Sequence, residues 1–407
     1  MFLTQRVNYN MTLSALVLSE APARLWGLSS MERLRRQTRE AGEVTWLGDS
    51  GALPAEGEVL LFVGRFLFET RTLKGLMANP GSVLVAADGT PAAAFVTASQ
   101  AEQVLKYLIS GSKVIPDGMR RLEPGDIAAF NVALRSAHPP LLELITEQRK
   151  NELENMLYGN AYRGVTDLVT KFLFPRPART LVHWCARLGL TPNMVTSIGF
   201  LLVLLACHFF REGHYAAGLA AGWVMTLLDT VDGKLARVTV RSSRFGHLYD
   251  HLIDLLHPPF WYVFWGKSLV PPPLVFGLDL DALSWLLIIA YGLGRLVELI
   301  FNQLGNCTIF TWRPFDAWFR LITARRNPCM VLLTLSVLIG RPDWGFLAVV
   351  GWTMLTTGVM FVRLAQGLVS RFARGPLTSW LGANNVATGP HARSFRIFGG
   401  TRGAYKA

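Results

Sequence analysis

Four aspartates at fixed spacing dominate the chemistry open to this chain. From Asp229 to Asp254 the sequence reads D-T-V-D-G-K-L-A-R-V-T-V-R-S-S-R-F-G-H-L-Y-D-H-L-I-D, which reduces to D-x2-D-G-x2-A-R-x8-G-x3-D-x3-D. The aspartates adjoin apolar runs long enough to cross a bilayer. An Asp near the centre of such a helix costs ~2.5–3.5 kcal/mol on insertion scales, so four left uncompensated would cost on the order of 10 kcal/mol. A divalent cation held by carboxylate oxygens is the natural compensation. Oxygen-only ligands suit Mg²⁺ or Mn²⁺ rather than zinc. Four carboxylates are enough for two ions, the clamp that stabilises charge in phosphoryl chemistry.

The spacing then dictates the elements. Asp229 and Asp232 are i, i+3 and share one helix face; Gly246, Asp250 and Asp254 are spaced by four and share another. Two antiparallel helices joined by a short turn around Thr239–Arg244 would bring the acidic faces together near the membrane surface. Gly233, Ala236 and Gly246 leave room for a nucleotide against the backbone, and Arg237 offers a fixed-charge fork for a pyrophosphate.

This pattern resembles, without a mismatch, the signature of the CDP-alcohol phosphotransferases. The resemblance implies attack of an acceptor hydroxyl on the phosphorus of a CDP-linked alcohol, with formation of a phosphodiester and release of CMP. It implies metal ligation by Asp229, Asp232 and Asp250. Asp254 would take the acceptor proton while also contacting a metal. Gly233, Ala236 and Arg237 would contact the cytidine diphosphate, and Ser243 falls where relatives carry a small hydroxyl residue near the donor. The T-P-N-M-V-T run at Thr191–Thr196 starts a helix and is similar to a motif near the nucleotide in relatives, which carries Asn193 and Thr196 into the site. Mg²⁺ or Mn²⁺, two ions, a homodimer and a lipid bilayer complete the expectation.

Composition agrees with a membrane setting. Charged residues make up only 17% of the 407 and the mean hydropathy is +0.31. The net charge of +12 suits nucleic acid or an anionic membrane surface. Its basic residues flank apolar spans, which favours the membrane and argues against nucleic acid. Cys185, Cys207, Cys307 and Cys329 lack metal-site spacing and read as packing residues. Six spans are expected, at 193–211, 215–237, 246–267, 281–304, 328–340 and 345–370. Arg241 and Arg244, then Arg313, Arg320, Arg325 and Arg326, then Arg371, Arg374, Arg393, Arg396, Arg402 and Lys406 all fall on one side. That side is the cytoplasm by the positive-inside rule, and it holds the aspartates, the N-terminal region and the tail. Inside the spans, Arg295, Glu298 and Arg363 need a cavity or a partner, and Arg295 and Glu298 are spaced to pair. Arg325 and Arg326 read either as topological anchors or as a grip for a phosphate on the acceptor.

Four regions are expected: 1–145, 146–190, 191–375 and a basic cytoplasmic tail at 376–407. In the first, strands at Ala15–Leu18, Val59–Val63, Val83–Ala87 and Ala93–Val96 alternate with helices at Met31–Glu40, Thr72–Ala78 and Ala98–Ile109. The pattern predicts a cytoplasmic α/β layer with a mostly parallel sheet. From Ala15 to Gly42 it resembles the opening of the nucleotidyltransferase fold of sugar-phosphate and inositol-phosphate cytidylyltransferases. It departs from them in the loop Ser19–Arg24, which lacks glycine, and in Gly64-Arg65, where a metal-binding acid is expected. The region therefore reads as inactive. The order of domains resembles bifunctional inositol-phosphate cytidylyltransferase/di-inositol-phosphate phosphate synthases, which suggests a polyol-phosphate acceptor. A working N-terminal cytidylyltransferase and a non-enzymatic membrane scaffold are the alternatives. Thr166–Leu190 is basic and amphipathic and reads as an interfacial helix.

Overall fold

In the computed structural model, residues 13–39, 44–48, 52–383 and 386–400 are described. Glu40, Gly42, Arg402 and Lys406, used in the expectations above, lie outside them.

The N-terminal region starts with β1 (Leu13–Leu18), α1 (Ser30–Arg39), β2 (Thr45–Trp46), β3 (Glu58–Val63), β4 (Phe66–Phe68) and α2 (Thr70–Met77). It continues with β5 (Ser82–Val85), β6 (Pro91–Thr97), α3 (Ala98–Ser110), β7 (Arg120–Leu122), β8 (Phe130–Asn131), β9 (Ser136–Ala137) and β10 (Leu142–Leu144). Six strands form one sheet in the order β2-β1-β3-β6-β5-β7. Every pairing in it is parallel except those of β6, which runs against both neighbours. The cause is local: β5 and β6 are joined by a tight turn at Asp88-Gly89, with Gly89 at φ +84° and the Asp88 carboxylate accepting from the Thr90 amide. β10 pairs with β4 in a separate two-stranded sheet.

The helical region follows. α4 (Lys150–Asn160) leads through a π-turn at Val169–Leu173 into α5 (Pro175–Arg187). The single amphipathic helix expected over Thr166–Leu190 is thus broken at its start, because Pro175 and Pro177 favour a first turn over a helix interior. Then come α6 (Pro192–Arg211), α7 (Tyr215–Val238), α8 (Arg244–Lys267), α9 (Leu280–Phe301), α10 (Pro314–Ile322), α11 (Arg326–Leu338) and α12 (Pro342–Arg374). Their shared core is built on Val203, Phe210, Trp261, Trp265, Met330 and Phe346.

Among the described residues, α6, α9 and α12 are long and apolar enough to cross a membrane. α10 and α11, bent by 42° at their break, make a fourth if they act as one span. α7 and α8, at 24 residues each, are long enough but carry the motif's charged and small residues. The described part of the C-terminal segment, expected as a basic tail, is packed against the helices. Trp380, Leu381 and Phe398 are buried with Val297, Phe301 and Phe310, and α13 (Ala392–Phe398) packs back on the bundle. The Gly399 carbonyl accepts from the Ala137 amide, so this segment also touches the β8–β9 hairpin.

Candidate metal and phosphoryl-transfer site

The two halves of the motif lie on consecutive helices. α7 carries Asp229, Asp232, Gly233, Ala236 and Arg237; α8 carries Gly246, Asp250 and Asp254. α7 ends with the Arg241 amide donating to the Ala236 carbonyl, 2.8 Å, around Val240 at φ +48°. Ser243 then caps α8: its Oγ accepts from the Gly246 amide at 2.9 Å. Thr191 does the same for α6, accepting from the Met194 amide.

One carboxylate oxygen from each of Asp229, Asp250 and Asp254 lies within 4.8 Å of the others. Asp232 is directed elsewhere: it is buried, and its Oδ2 accepts from Thr196 Oγ1 at 2.6 Å. Asn193 reaches the second half of the motif. A Cβ on Gly246 would stand 2.3 Å from Asn193 Oδ1, so the absence of a side chain lets α6 and α8 meet there. A Cβ on Gly233 would lie 3.1 Å from Arg237 Nη2, which folds back over the glycine while its Nε donates to the Ala161 carbonyl at 2.9 Å.

Arg326 completes the cluster in a way that spacing did not reveal. It stands at the first position of α11, donating Nη2 to Asp229 Oδ2 at 2.5 Å and Nη1 to Asp254 Oδ1 at 2.7 Å. Asn327, next in sequence, donates to Asp167 at 3.0 Å and to Thr170 at 3.0 Å, which ties the start of α11 to the π-turn. Burial works against the Asp167 carboxylate, but Arg320 and the bonds from Thr170 and Asn327 hold its pKa below the usual value.

Arg325 points away from the acids. It pairs with Glu298 of α9, which also meets Arg135 at 3.4 Å and Arg295 at 4.0 Å. The expected Arg295–Glu298 pair is therefore one part of a larger cluster. A cleft beside it is lined by Tyr291, Arg295, Thr323, Arg325, Thr356 and Thr357. Arg363 has its own partner, a two-pronged contact to Asp316 of α10 at 2.6 and 2.8 Å.

The three clustered carboxylates are all hard oxygen donors, and two of them, Asp229 and Asp254, already hold a cationic guanidinium, so the residues fit a Mg²⁺-type ion. Comparison with known proteins gives the same direction. The sequence matches the CDP-alcohol phosphatidyltransferase family over residues 189–387. These residues are a CDP-alcohol phosphatidyltransferase domain. Within the domain fall every motif aspartate and both arginines of the α11 start. An archaetidylinositol phosphate synthase of Pyrococcus horikoshii is 42% identical over 82 residues, 20% of this chain and 43% of that protein. A bifunctional IPC transferase and DIPP synthase of Rubrobacter xylanophilus is 22% identical over 285 residues, 67% of this chain and 60% of the relative. The latter match reaches well beyond the transferase domain. A phosphatidylinositol phosphate synthase of Mycobacteroides abscessus is 28% identical over 131 residues, 30% of this chain and 60% of that protein. The chain spans about half the length of the curated relatives it matches.

Proposed function

We propose that this chain is a CDP-alcohol phosphotransferase that moves a substituted phosphate group from a CDP-linked donor to an acceptor alcohol and releases CMP. The observation that carries the reading is the convergence of Asp229, Asp250 and Asp254 within a domain of that family. Asp229, Asp250 and Asp254 would hold a divalent ion, with Asp232 near enough in sequence to join a second. Such ions neutralise the donor pyrophosphate and the CMP leaving group when bound. Gly233, Ala236 and Arg237 would receive the cytidine diphosphate, with Asn193, Thr196, Ser243 and Gly246 shaping its wall. Asp254 would take the proton from the acceptor hydroxyl. It is the more open carboxylate of the Arg326 pair, with a side chain 37% exposed against 19% for Asp229.

The acceptor in this reading is a polyol phosphate such as an inositol phosphate. Arg325, Arg295 and Arg135 around Glu298 supply the cationic pole for its phosphate, and the names of the relatives agree. The membrane arrangement is six spans, α6, α7, α8, α9, α11 and α12, with the aspartates and N-terminal region on the cytoplasmic side and a homodimer as the assembly. Residues 1–145 serve as a non-catalytic nucleotidyltransferase-like domain. The test is CMP release from a panel of CDP donors with Mg²⁺ and phosphorylated or plain alcohols, with Asp250→Asn as the control. Release is expected from the wild type and abolished in Asp250→Asn; full activity in a folded Asp250→Asn protein would contradict the assignment. A second reading, in which residues 1–145 also make the donor, takes support from the bifunctional Rubrobacter relative. CTP consumption by the full chain with a polyol phosphate would establish it.

A further inference from the structure

The α7–α8 turn sets how far apart the two acidic faces stand, and the N-terminal region grips that turn. Arg33 is buried on α1, and its Nη2 donates to the Val238 carbonyl at 2.9 Å and to the Leu25 carbonyl at 3.2 Å. One turn along α1, Arg36 Nη1 donates to the Thr239 carbonyl at 2.8 Å. Val238 is the last residue of α7 and Thr239 its cap. Their carbonyls are among those a helix end leaves without intrahelical donors, and a cation there also meets the negative end of the helix dipole.

A second contact fixes the same end from the side. A tight turn at Leu25–Leu28, with Trp26 at φ +51° and Gly27 at +78°, presents the Trp26 indole. The ring is buried with Tyr158 and Tyr162, against Val231, Leu235 and Val238 of α7. The Trp26 amide and indole N–H both bond Glu154 of α4, at 2.8 and 3.1 Å. The turn beyond carries strain: Val240 is β-branched and held at φ +48°, a conformation such residues rarely adopt. Backbone in this state persists only where its surroundings over-determine it. The two arginines and Trp26 supply that constraint from more than 200 residues away in sequence.

We propose that Arg33 and Arg36 are positioning residues for phosphotransfer, fixing the end of α7 so that Asp229 faces Asp250 and Asp254. The N-terminal region thereby contributes to the site without touching substrate. This role rests on the transferase reading above. In the full-length chain, Arg36→Gln alters a half-buried side chain, and Arg33→Met with Arg36→Gln removes both caps. Two readouts separate positioning from plain stability. Hydrogen exchange at the Thr239 and Arg241 amides should speed up about tenfold or more, since both close the α7 turn. The Mg²⁺ concentration for half-maximal CMP release should rise and kcat should fall by about tenfold to a hundredfold, because a misplacement of about 1 Å is enough. The acceptor KM should stay unchanged, and Arg36→Lys should recover most of the loss from Arg36→Gln. Unchanged exchange at Thr239 and Arg241 overturns the grip itself. Faster exchange with unaltered kcat and Mg²⁺ dependence overturns the positioning role. A wild type that releases no CMP from any donor defeats the transferase reading instead, and with it the catalytic role, while exchange still reports whether the arginines hold the turn.

Discussion

Replacing Arg326 with Gln removes the guanidinium that, among the described residues, bridges Asp229 and Asp254. Breaking a buried pair from one side costs ~3–5 kcal/mol, because the remaining charge is left uncompensated. Asp254 is more than a third exposed, so solvent screens part of its loss and the lower end of that range applies. For a domain of about 200 residues, each kcal/mol moves the midpoint by ~2–4 °C, so a loss of ~3 kcal/mol lowers Tm by about 6–12 °C. The Mg²⁺ dependence carries the argument. In the wild type an ion must compete with the guanidinium for Asp229 and Asp254; in Arg326→Gln it does not. At about a hundredfold excess over its Kd, an ion stabilises by ~2.7 kcal/mol, which would return most of the deficit. Thermal unfolding of the purified protein in detergent, in EDTA and then in excess Mg²⁺, measures both quantities. The variant should gain several degrees more from Mg²⁺ than the wild type does. An equal gain in the two proteins would refute the view that the guanidinium and a metal ion share these carboxylates.

Asp254→Asn should lower kcat far more than it raises the donor KM, because its proposed task is proton removal; steady-state kinetics at fixed Mg²⁺ with equal losses in both would demote it to a ligand. Arg325→Gln should raise the KM of a phosphorylated acceptor by about 10- to 150-fold, the worth of a ~1.5–3 kcal/mol charge-assisted contact, and leave a non-phosphorylated alcohol untouched. Equal effects on both acceptors would make Arg325 a structural partner of Glu298.

Local spacing made part of this molecule legible. The i, i+3 and i, i+4 aspartates define helix faces, and one turn between two helices is enough to bring Asp229, Asp250 and Asp254 together. Strand and helix positions in the first 110 residues also follow from short apolar runs between amphipathic segments. What the sequence hid are contacts between elements remote in the chain. Arg326 is 72 residues from Asp254, and nothing in its neighbourhood marks it as the partner of two acids rather than a topological anchor or a grip for an acceptor phosphate. Asp232 looks equivalent to Asp229 until α6 supplies the Thr196 hydroxyl. Arg33 sits among other basic residues of α1, and nothing in its local sequence marks it as the one that is buried on the end of α7. A signal was present for the last segment: Trp380, Leu381 and Phe398 are too apolar for a solvated basic tail, and they are the residues that bury.

The charges around the start of α11 sort into two poles, and their arithmetic bears on the substrates. On one side three carboxylates, Asp229, Asp250 and Asp254, face one guanidinium, that of Arg326. Asp232 adds to this negative charge and Lys234 offsets part of it, so the pole as a whole is net negative and suits a cation. On the other side three guanidiniums, of Arg135, Arg295 and Arg325, surround one carboxylate, that of Glu298. Arg320 and Arg163 stand in the same field, partly offset by Asp167, so this pole is net positive and suits an anionic group. The division falls between adjacent residues, with Arg325 turned to one pole and Arg326 to the other. Charge at such depth is costly unless it is paired, so the excess on each side favours ligands of opposite sign. A metal-bound donor at the acidic pole and a phosphorylated acceptor at the basic pole would neutralise both, and would set the acceptor hydroxyl between them, beside Asp254.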